Sequence, residues 1–290
     1  MIGFHKIHGL GNCFIFFEEF NVDLGFLKKS EVVKILCETS RGLGSDGLVF
    51  VGSPKDPKHH CRMQMFNTDG TEAEMCGNAI RGVAHLFDHL HLGTDPILIE
   101  TAGGIKEVSF VGVKDGEVFY KAQMGKAILD LVSTGELVAA EKRKPLDWNG
   151  REFTPVYVNV GNPHAVIFID MPMTNDEMKS VGAWLESHAN HPRRINVEFV
   201  EVLSRQEARV HVWERGCGMT QACGTGATAV TVAGIEKGKF DSQVTIRMPG
   251  GDLTIEQKKD GQLYMTGPIQ EVATGTLSGS LLNRLARAAL

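Results

Sequence analysis

Apolar positions fall in short saturated runs separated by turn-forming residues, and two longer stretches carry a helical period. The runs CFIFFE (13–18), LVFV (48–51), 164–170 and VEFVEV (197–202) are rich in Val, Ile and Phe. Glycine, asparagine and proline punctuate them, which predicts short strands. After Cys76, the residues Ile80, Val83, Ala84, Phe87 and Leu90 share one face at a 3.6-residue period and predict an amphipathic helix. After Cys223, the run ATAVTVAGI (227–235) is apolar almost all round, which predicts a buried helix.

The pattern repeats. EMCGNAIRG around Cys76 is answered by QACGTGATA around Cys223, 147 residues later, and Gly103-Gly104 by Gly250-Gly251 at the same offset. Lys114-Asp115-Gly116 recurs as Lys259-Asp260-Gly261 at an offset of 145, and Gly11-Asn12 as Gly161-Asn162 at 150. Four matches in the same order imply two homologous halves. Strands with Gly-rich turns and one key helix per half predict an α+β fold of two pseudo-symmetric lobes. The first lobe is expected over residues 1–126 and the second over 127–271. Their boundary lies within about 125–150, where KPLDWNGR reads as a linker or turn. The last 15 or so residues have no counterpart in the first half, so 272–290 are expected to return and complete the first lobe.

Composition narrows the function. With 42% hydrophobic and 22% charged residues the chain is an ordinary globular protein, and it is long enough to build its own core. A net charge of -5 and a pI near 6.1 argue against nucleic acid or an anionic membrane as a partner. No run approaches the roughly 18 apolar residues of a membrane span, and MIGFHKIHGLGN lacks the apolar stretch of a secretory signal. The expected setting is the cytoplasm, and the expected partner a small molecule. Six cysteines, at 13, 37, 61, 76, 217 and 223, then read as thiols. None forms a CxxC pair. KHHC (58–61) sets two histidines beside Cys61, but between Pro54, Pro57 and the following strand it reads as a polar loop, and no metal is expected.

Cys76 and Cys223 each stand where a turn becomes a helix. Free N–H groups and the partial positive charge of a helix start are expected to lower a thiol's pKa there. The small residues that follow, Gly77-Asn78 and Gly224-Thr225-Gly226, let a carboxylate approach those N–H groups. Duplication is expected to set two such ends facing each other across a cleft. That arrangement suits inversion of an α-carbon, which needs a proton removed from one face and another delivered to the opposite face. Nothing suggests a pyridoxal site, so no cofactor is expected, and the helix ends would stabilise the enolate-like charge. Cys13, Cys37 and Cys61 read as packing residues, and Cys217 as a bystander in a Gly-rich loop.

The segments IHGLGN (7–12), GSDGL (44–48), FNTDGTEAEMCGN (66–78), GNPHAV (161–166), INVEFVEV (195–202), VWERG (212–216), ACGTGA (222–227) and YMTGP (264–268) carry a specific resemblance. Over essentially its full length the chain resembles the diaminopimelate epimerase family. The resemblance implies conversion of L,L-diaminopimelate to the meso form in lysine and cell-wall synthesis, without a cofactor. It also implies a homodimer whose lobes are mostly antiparallel sheets or barrels, each wrapped around a central helix. Carried onto this chain, it makes Cys76 and Cys223 the acid/base pair and Gly77, Asn78, Gly224 and Thr225 the cradle of the reacting carboxylate. Arg215 clamps the distal carboxylate, with Asn67, Asn162 and Asn196 as hydrogen-bonding partners. Glu214 and His164 stand near the reacting ammonium and thiols, and Asn12 is a substrate contact. Four positions depart from the family pattern: Met219 replaces an acidic residue, Cys13 an Asp, Ala79 a Gly and Gly82 a Cys. The alternative is a same-fold racemase of another amino acid such as histidine, which should lose the distal clamp that Arg215, Asn67 and Asn196 retain here.

Overall fold

The saturated runs form strands, and the two cysteine-led stretches form helices, in the computed structural model of the chain. It describes all residues except 91–93, 130, 132–133, 138–144 and 290. The side chain of Leu90 and the residue Lys144, both part of the sequence expectations, lie outside the described residues. The order is β1 (Gly3–Gly9), β2 (Asn12–Glu18), α1 (Ser30–Cys37), β3 (Gly47–Gly52), β4 (Cys61–Asn67), β5 (Glu72–Ala73), α2 (Gly77–Leu90), β6 (Ile97–Thr101), β7 (Gly104–Lys114) and β8 (Glu117–Lys126). After the hairpin of β9 (Leu146–Trp148) and β10 (Arg151–Phe153), the series recurs. It runs through β11 (Val156–Asn159), β12 (Pro163–Phe168), α3 (Asn175–Glu186), β13 (Asn196–Ser204), β14 (Glu207–Glu214), β15 (Gly218–Thr220) and α4 (Gly224–Glu236). It continues with β16 (Gln243–Met248), β17 (Gly251–Gln257) and β18 (Gln262–Thr276), and α5 (Gly279–Ala288) follows. Element for element, β1 to β8 is matched by β11 to β18, which is the sequence repeat made structural. The KPLDWNGR segment, expected as a linker or turn, is the turn of the β9–β10 hairpin where described.

Two compact units result, Met1–Ala122 with Gly267–Leu290, and Gln123–Thr266. In the first, the strands follow the order β1-β2-β3-β4-β6-β7-β8-β18, and β18 pairs back onto β1, closing a barrel of eight strands. β2–β3 and β4–β6 are parallel, whereas β1–β2, β3–β4, β6–β7, β7–β8 and β1–β18 are antiparallel. β18 runs to Thr276, because Gln270–Thr276 is the stretch that pairs with β1. Most of its side chains there are exposed, so no buried apolar run marks it in the sequence.

β2 shows why the runs are saturated. Phe14 and Phe16 point into a core with Ile80, Val83, Ala84 and Phe87 of α2, while Ile15 and Phe17 pack with Val32, Val33 and Leu36 of α1 and Leu285 of α5. Both faces are covered, so no polar alternation survives. α2 touches β1, β2, β4 and β7 and is the helix inside the barrel. A methyl at Gly82 would meet the Phe16 ring at 2.5 Å, so Phe16 fills the room that a larger residue at 82 would need.

In the second unit the order is β18-β17-β16-β14-β13-β12-β11, with β12–β13 and β14–β16 parallel and a bridge from Ile128 to Asn159. α4 touches β11, β12, β13, β16 and β17 and is buried from Gly226 to Gly234. α3 packs on β13, β14 and β15 through Met178, Val181 and Leu185. No helix among the described residues is long and apolar enough to cross a membrane.

Candidate active site

Cys76 and Cys223 occupy the same place in the two units. The carbonyl of each accepts the first helical bond, from Ile80 N to Cys76 O and from Ala227 N to Cys223 O, both at 2.9 Å. Each cysteine is therefore the cap residue of its helix, with its side chain at the helix start.

In the first unit a left-handed pair, Leu10 (φ 57°) and Gly11 (φ 82°), turns β1 into β2 and delivers Asn12 to the strand's first position. Asn12 Nδ2 donates to Asp46 Oδ2 at 2.9 Å, and the Cys13 amide donates to the same oxygen at 2.8 Å. Asn12 Oδ1 accepts from Asn78 Nδ2 at 3.1 Å and from the Cys76 thiol at 3.8 Å. Gly77 opens α2, and its carbonyl accepts from Arg81 Nη1 at 3.0 Å. Asn67 closes β4, and its side chain donates to Thr71 Oγ1 at 3.1 Å across a tight turn. Cys76, Asn12, Gly77 and Asn78 are thus brought together, whereas no hydrogen bond ties Asn67 to them among the described residues.

In the second unit Cys223 is 5% exposed, and its sulfur accepts from the Gly226 amide at 3.4 Å and lies 3.4 Å from Thr225 Oγ1. Glu214, at the end of β14, accepts from Thr220 Oγ1 at 2.6 Å and stands near the Cys223 thiol. His164 is fully buried on β12, with Nδ1 2.6 Å from Glu198 Oε1 and Nε2 2.9 Å from Asn162 Oδ1. Asn196 is committed to the backbone at both ends, donating to Pro163 O and accepting from Arg215 N, each at 2.9 Å. Its observed work is to tie the WERG turn to β12. Arg215 itself is exposed, and among the described residues its guanidinium makes one hydrogen bond, to Arg193 O at 3.2 Å. Glu186 holds that turn from beneath, accepting from Trp213 Nε1 at 2.7 Å and Gly216 N at 2.8 Å. Met219 lies on β15 opposite Trp213.

The electrostatics correct one expectation. A helix start was expected to lower both thiols, yet burial, then Glu214 and then Glu198, push Cys223 well above its ordinary value. The hydrogen bonds from Thr225 and Gly226 oppose this without prevailing. Desolvation of a thiolate outweighs one helix terminus when two carboxylates stand beside it. Burial likewise raises Glu214, against the pull of Thr220, Cys223 and His164. Burial and the two carboxylates thus favour the protonated form of Cys223.

Three residues join the site that the sequence did not single out. Arg81 is completely buried beside Asn78, Glu198 stands behind His164 and Gly226, and Asp46 anchors Asn12. An arginine near the start of the Cys76 helix and a glutamate inside the strand INVEFVEV were the available signals. The KHHC histidines go elsewhere: His59 Nδ1 lies 2.9 Å from Glu100 Oε1, and His60 Nδ1 accepts from Leu98 N at 2.8 Å.

The family model for diaminopimelate epimerase matches residues 4–129 and 156–272. A diaminopimelate epimerase from Desulfitobacterium hafniense is 40% identical over 276 residues, covering 94% of this chain and 96% of that protein. One from Acetivibrio thermocellus is 40% identical over 277 residues, covering 94% and 97%, and one from Methanococcus maripaludis 39% over 280, covering 94% and 99%. Among solved structures, a PhzF-family phenazine biosynthesis protein from Bacillus anthracis superposes with a TM-score of 0.70 at 13% identity, covering 96% of this chain and 99% of that one. A hydroxyproline epimerase from Agrobacterium vitis, with bound trans-4-hydroxy-L-proline, gives 0.69 at 13%, covering 94% and 91%. At such identities these two structures establish the shared fold.

Proposed function

The chain belongs to the diaminopimelate epimerase family, and we propose that it converts L,L-diaminopimelate to meso-diaminopimelate by proton transfer between Cys76 and Cys223. The supporting observation is the matched placement of the two cysteines, each the cap of a helix whose first residues are small. In the step itself one thiolate takes the α-proton, so a C–H bond breaks and an S–H bond forms. The opposite thiol then gives its proton to the other face of the carbon, and the two sulfurs exchange roles for the next turnover. The amides of Gly77, Asn78, Gly224 and Thr225 receive the carboxylate as it gains enolate character. Glu214, half-buried near Cys223, accepts from the substrate ammonium, with His164 near the ammonium and the thiols. Asn12 contacts the substrate beside Cys76.

At the distal end, Arg215 keeps most of its donors for a carboxylate, with Asn67 and Asn162 as partners and Asn196 holding its backbone. That clamp favours diaminopimelate over a simple amino acid such as histidine. A homodimer, a cytoplasmic setting and a role in lysine and cell-wall synthesis complete the reading, on the family resemblance.

The test is α-hydrogen exchange of L,L-diaminopimelate in deuterated water, followed by NMR. The expected result is exchange with epimerisation in the parent, its loss in Cys76→Ala and Cys223→Ala, and its retention in Cys61→Ala. Normal turnover by Cys76→Ala would remove the two-thiol mechanism. Exchange of histidine, with diaminopimelate inert, would remove the substrate assignment.

A further inference from the structure

The largest fully buried side chain of the described molecule is a cation, Arg81, one helical turn beyond Cys76. Its Nη1 donates to Gly77 O at 3.0 Å, and its Nη2 to Asn78 Oδ1 at 2.9 Å and to Pro268 O at 3.4 Å. A guanidinium only donates and a carboxylate only accepts, whereas an amide can face either way. Arg81 thus turns the Asn78 oxygen toward itself and the Asn78 NH₂ toward Asn12. At the other end Asp46 draws the Asn12 NH₂, which leaves Asn12 Oδ1 facing Asn78 and the Cys76 sulfur. We propose that Arg81 is the positioning residue of the first thiol, locking with Asp46 the Asn78–Asn12 amide pair that holds Cys76 and placing a fixed positive charge beside its sulfur.

Two further observations support this. Burial lowers Arg81 to about 10, and the neighbouring Cys76 opposes that fall. The fold also keeps space for the fork: a methyl at Gly9 would lie 2.9 Å from Arg81 Nη2 and 3.4 Å from Asn78 Cβ. The proposal rests on the two-thiol reading above, yet its test needs no substrate.

Alkylation by iodoacetamide, followed cysteine by cysteine by peptide mapping, reads Cys76 directly. Cys61, fully buried in the same core, reports any opening of the fold. Arg81→Met is expected to slow Cys76 alkylation about tenfold or more while Cys61 stays protected, and Arg81→Lys to restore part of the rate, since it returns charge without the fork. Gly9→Ala, which keeps the guanidinium and displaces it, is expected to slow Cys76 as well. With L,L-diaminopimelate, Arg81→Lys and Gly9→Ala should lower kcat by about tenfold with little change in KM. Parental alkylation of Cys76 in Arg81→Met and Gly9→Ala overturns the proposal. So does joint exposure of Cys61 and Cys76 in all three variants, which makes Arg81 a support of the helix alone. If the parent leaves diaminopimelate untouched but shows the alkylation pattern, the substrate reading falls and the positioning role stands.

Discussion

Replacing Gly226 with alanine tests how closely the second sulfur is placed. The added methyl would sit 3.0 Å from Glu198 Oε1, 3.3 Å from Cys223 Cβ and 3.4 Å from Cys223 Sγ. Glu198 cannot give way, because its carboxylate is 2.6 Å from His164 Nδ1 and both side chains are fully buried. The neighbour left to move is Cys223, by a few tenths of an ångström. Overpacking of this kind costs about 1–3 kcal/mol, and alanine in place of glycine inside a helix returns up to about 1 kcal/mol. The net loss of stability should therefore stay below about 3 kcal/mol. Reactivity responds too: a displacement of about 1 Å can cost about a hundredfold, so about 0.3 Å predicts about fourfold, or roughly 0.8 kcal/mol in the barrier. The assay is the initial rate of α-hydrogen exchange with L,L-diaminopimelate, paired with urea unfolding of the same samples. A kcat within about twofold of the parent refutes the argument that packing around Glu198 sets the sulfur position. So does a rate loss fully explained by the unfolded fraction.

Three further outcomes are expected. Gly234→Ala would drive a methyl to 1.9 Å from the buried Phe240 ring, so it should destabilise the protein by about 3 kcal/mol or more. A urea midpoint close to the parent's would contradict that. Arg215→Ala removes an exposed side chain with one carbonyl partner, so stability should change by less than about 0.5 kcal/mol. KM for diaminopimelate should rise about tenfold or more as the distal carboxylate loses its cation, and an unchanged KM speaks against the clamp. Glu100 accepts from the amides of Asp56 and Lys55, both at 2.8 Å, and contacts His59 at 2.9 Å, which together hold its carboxyl down at about 2. A depressed acid contributes stability that is present above its ordinary range, near 4.5, and is lost as pH falls toward 2. Glu100→Gln should therefore flatten the acid limb of thermal stability in that window, and an unaltered limb would show that the 53–60 loop does not depend on the charge.

Much of this was legible in the chain because backbone demands leave strong marks. The Cys-Gly turns recur because a helix must begin there twice, and the apolar face of Ile80, Val83, Ala84 and Phe87 is the face that meets the barrel wall. What stayed hidden depends on distant partners. Gln270–Thr276 shows no buried apolar run because most of its side chains are exposed, and the strand it joins lies at the other end of the chain. Arg81 and Glu198 look like interruptions of apolar elements until Asn78 and His164 appear beside them. The direction of the shift at Cys223 was misjudged for a related reason. A helix start can be read from residues 223–226, but the burial and the carboxylates of Glu198 and Glu214 that oppose it come from β13 and β14.

The closure of the first barrel has a consequence for synthesis. Its eighth strand is supplied by Gly267–Thr276, whereas every strand from β11 to β17 of the second unit is made before that segment appears. As the chain leaves the ribosome, the N-terminal unit must wait as an open sheet with β1 and β8 as bare edges. The unit begun later has nearly all its strands first. Bare edges invite pairing with other chains, so this protein's vulnerable interval during production belongs to the half that is translated earliest. Chaperone protection should be needed there until Gly267–Thr276 arrives.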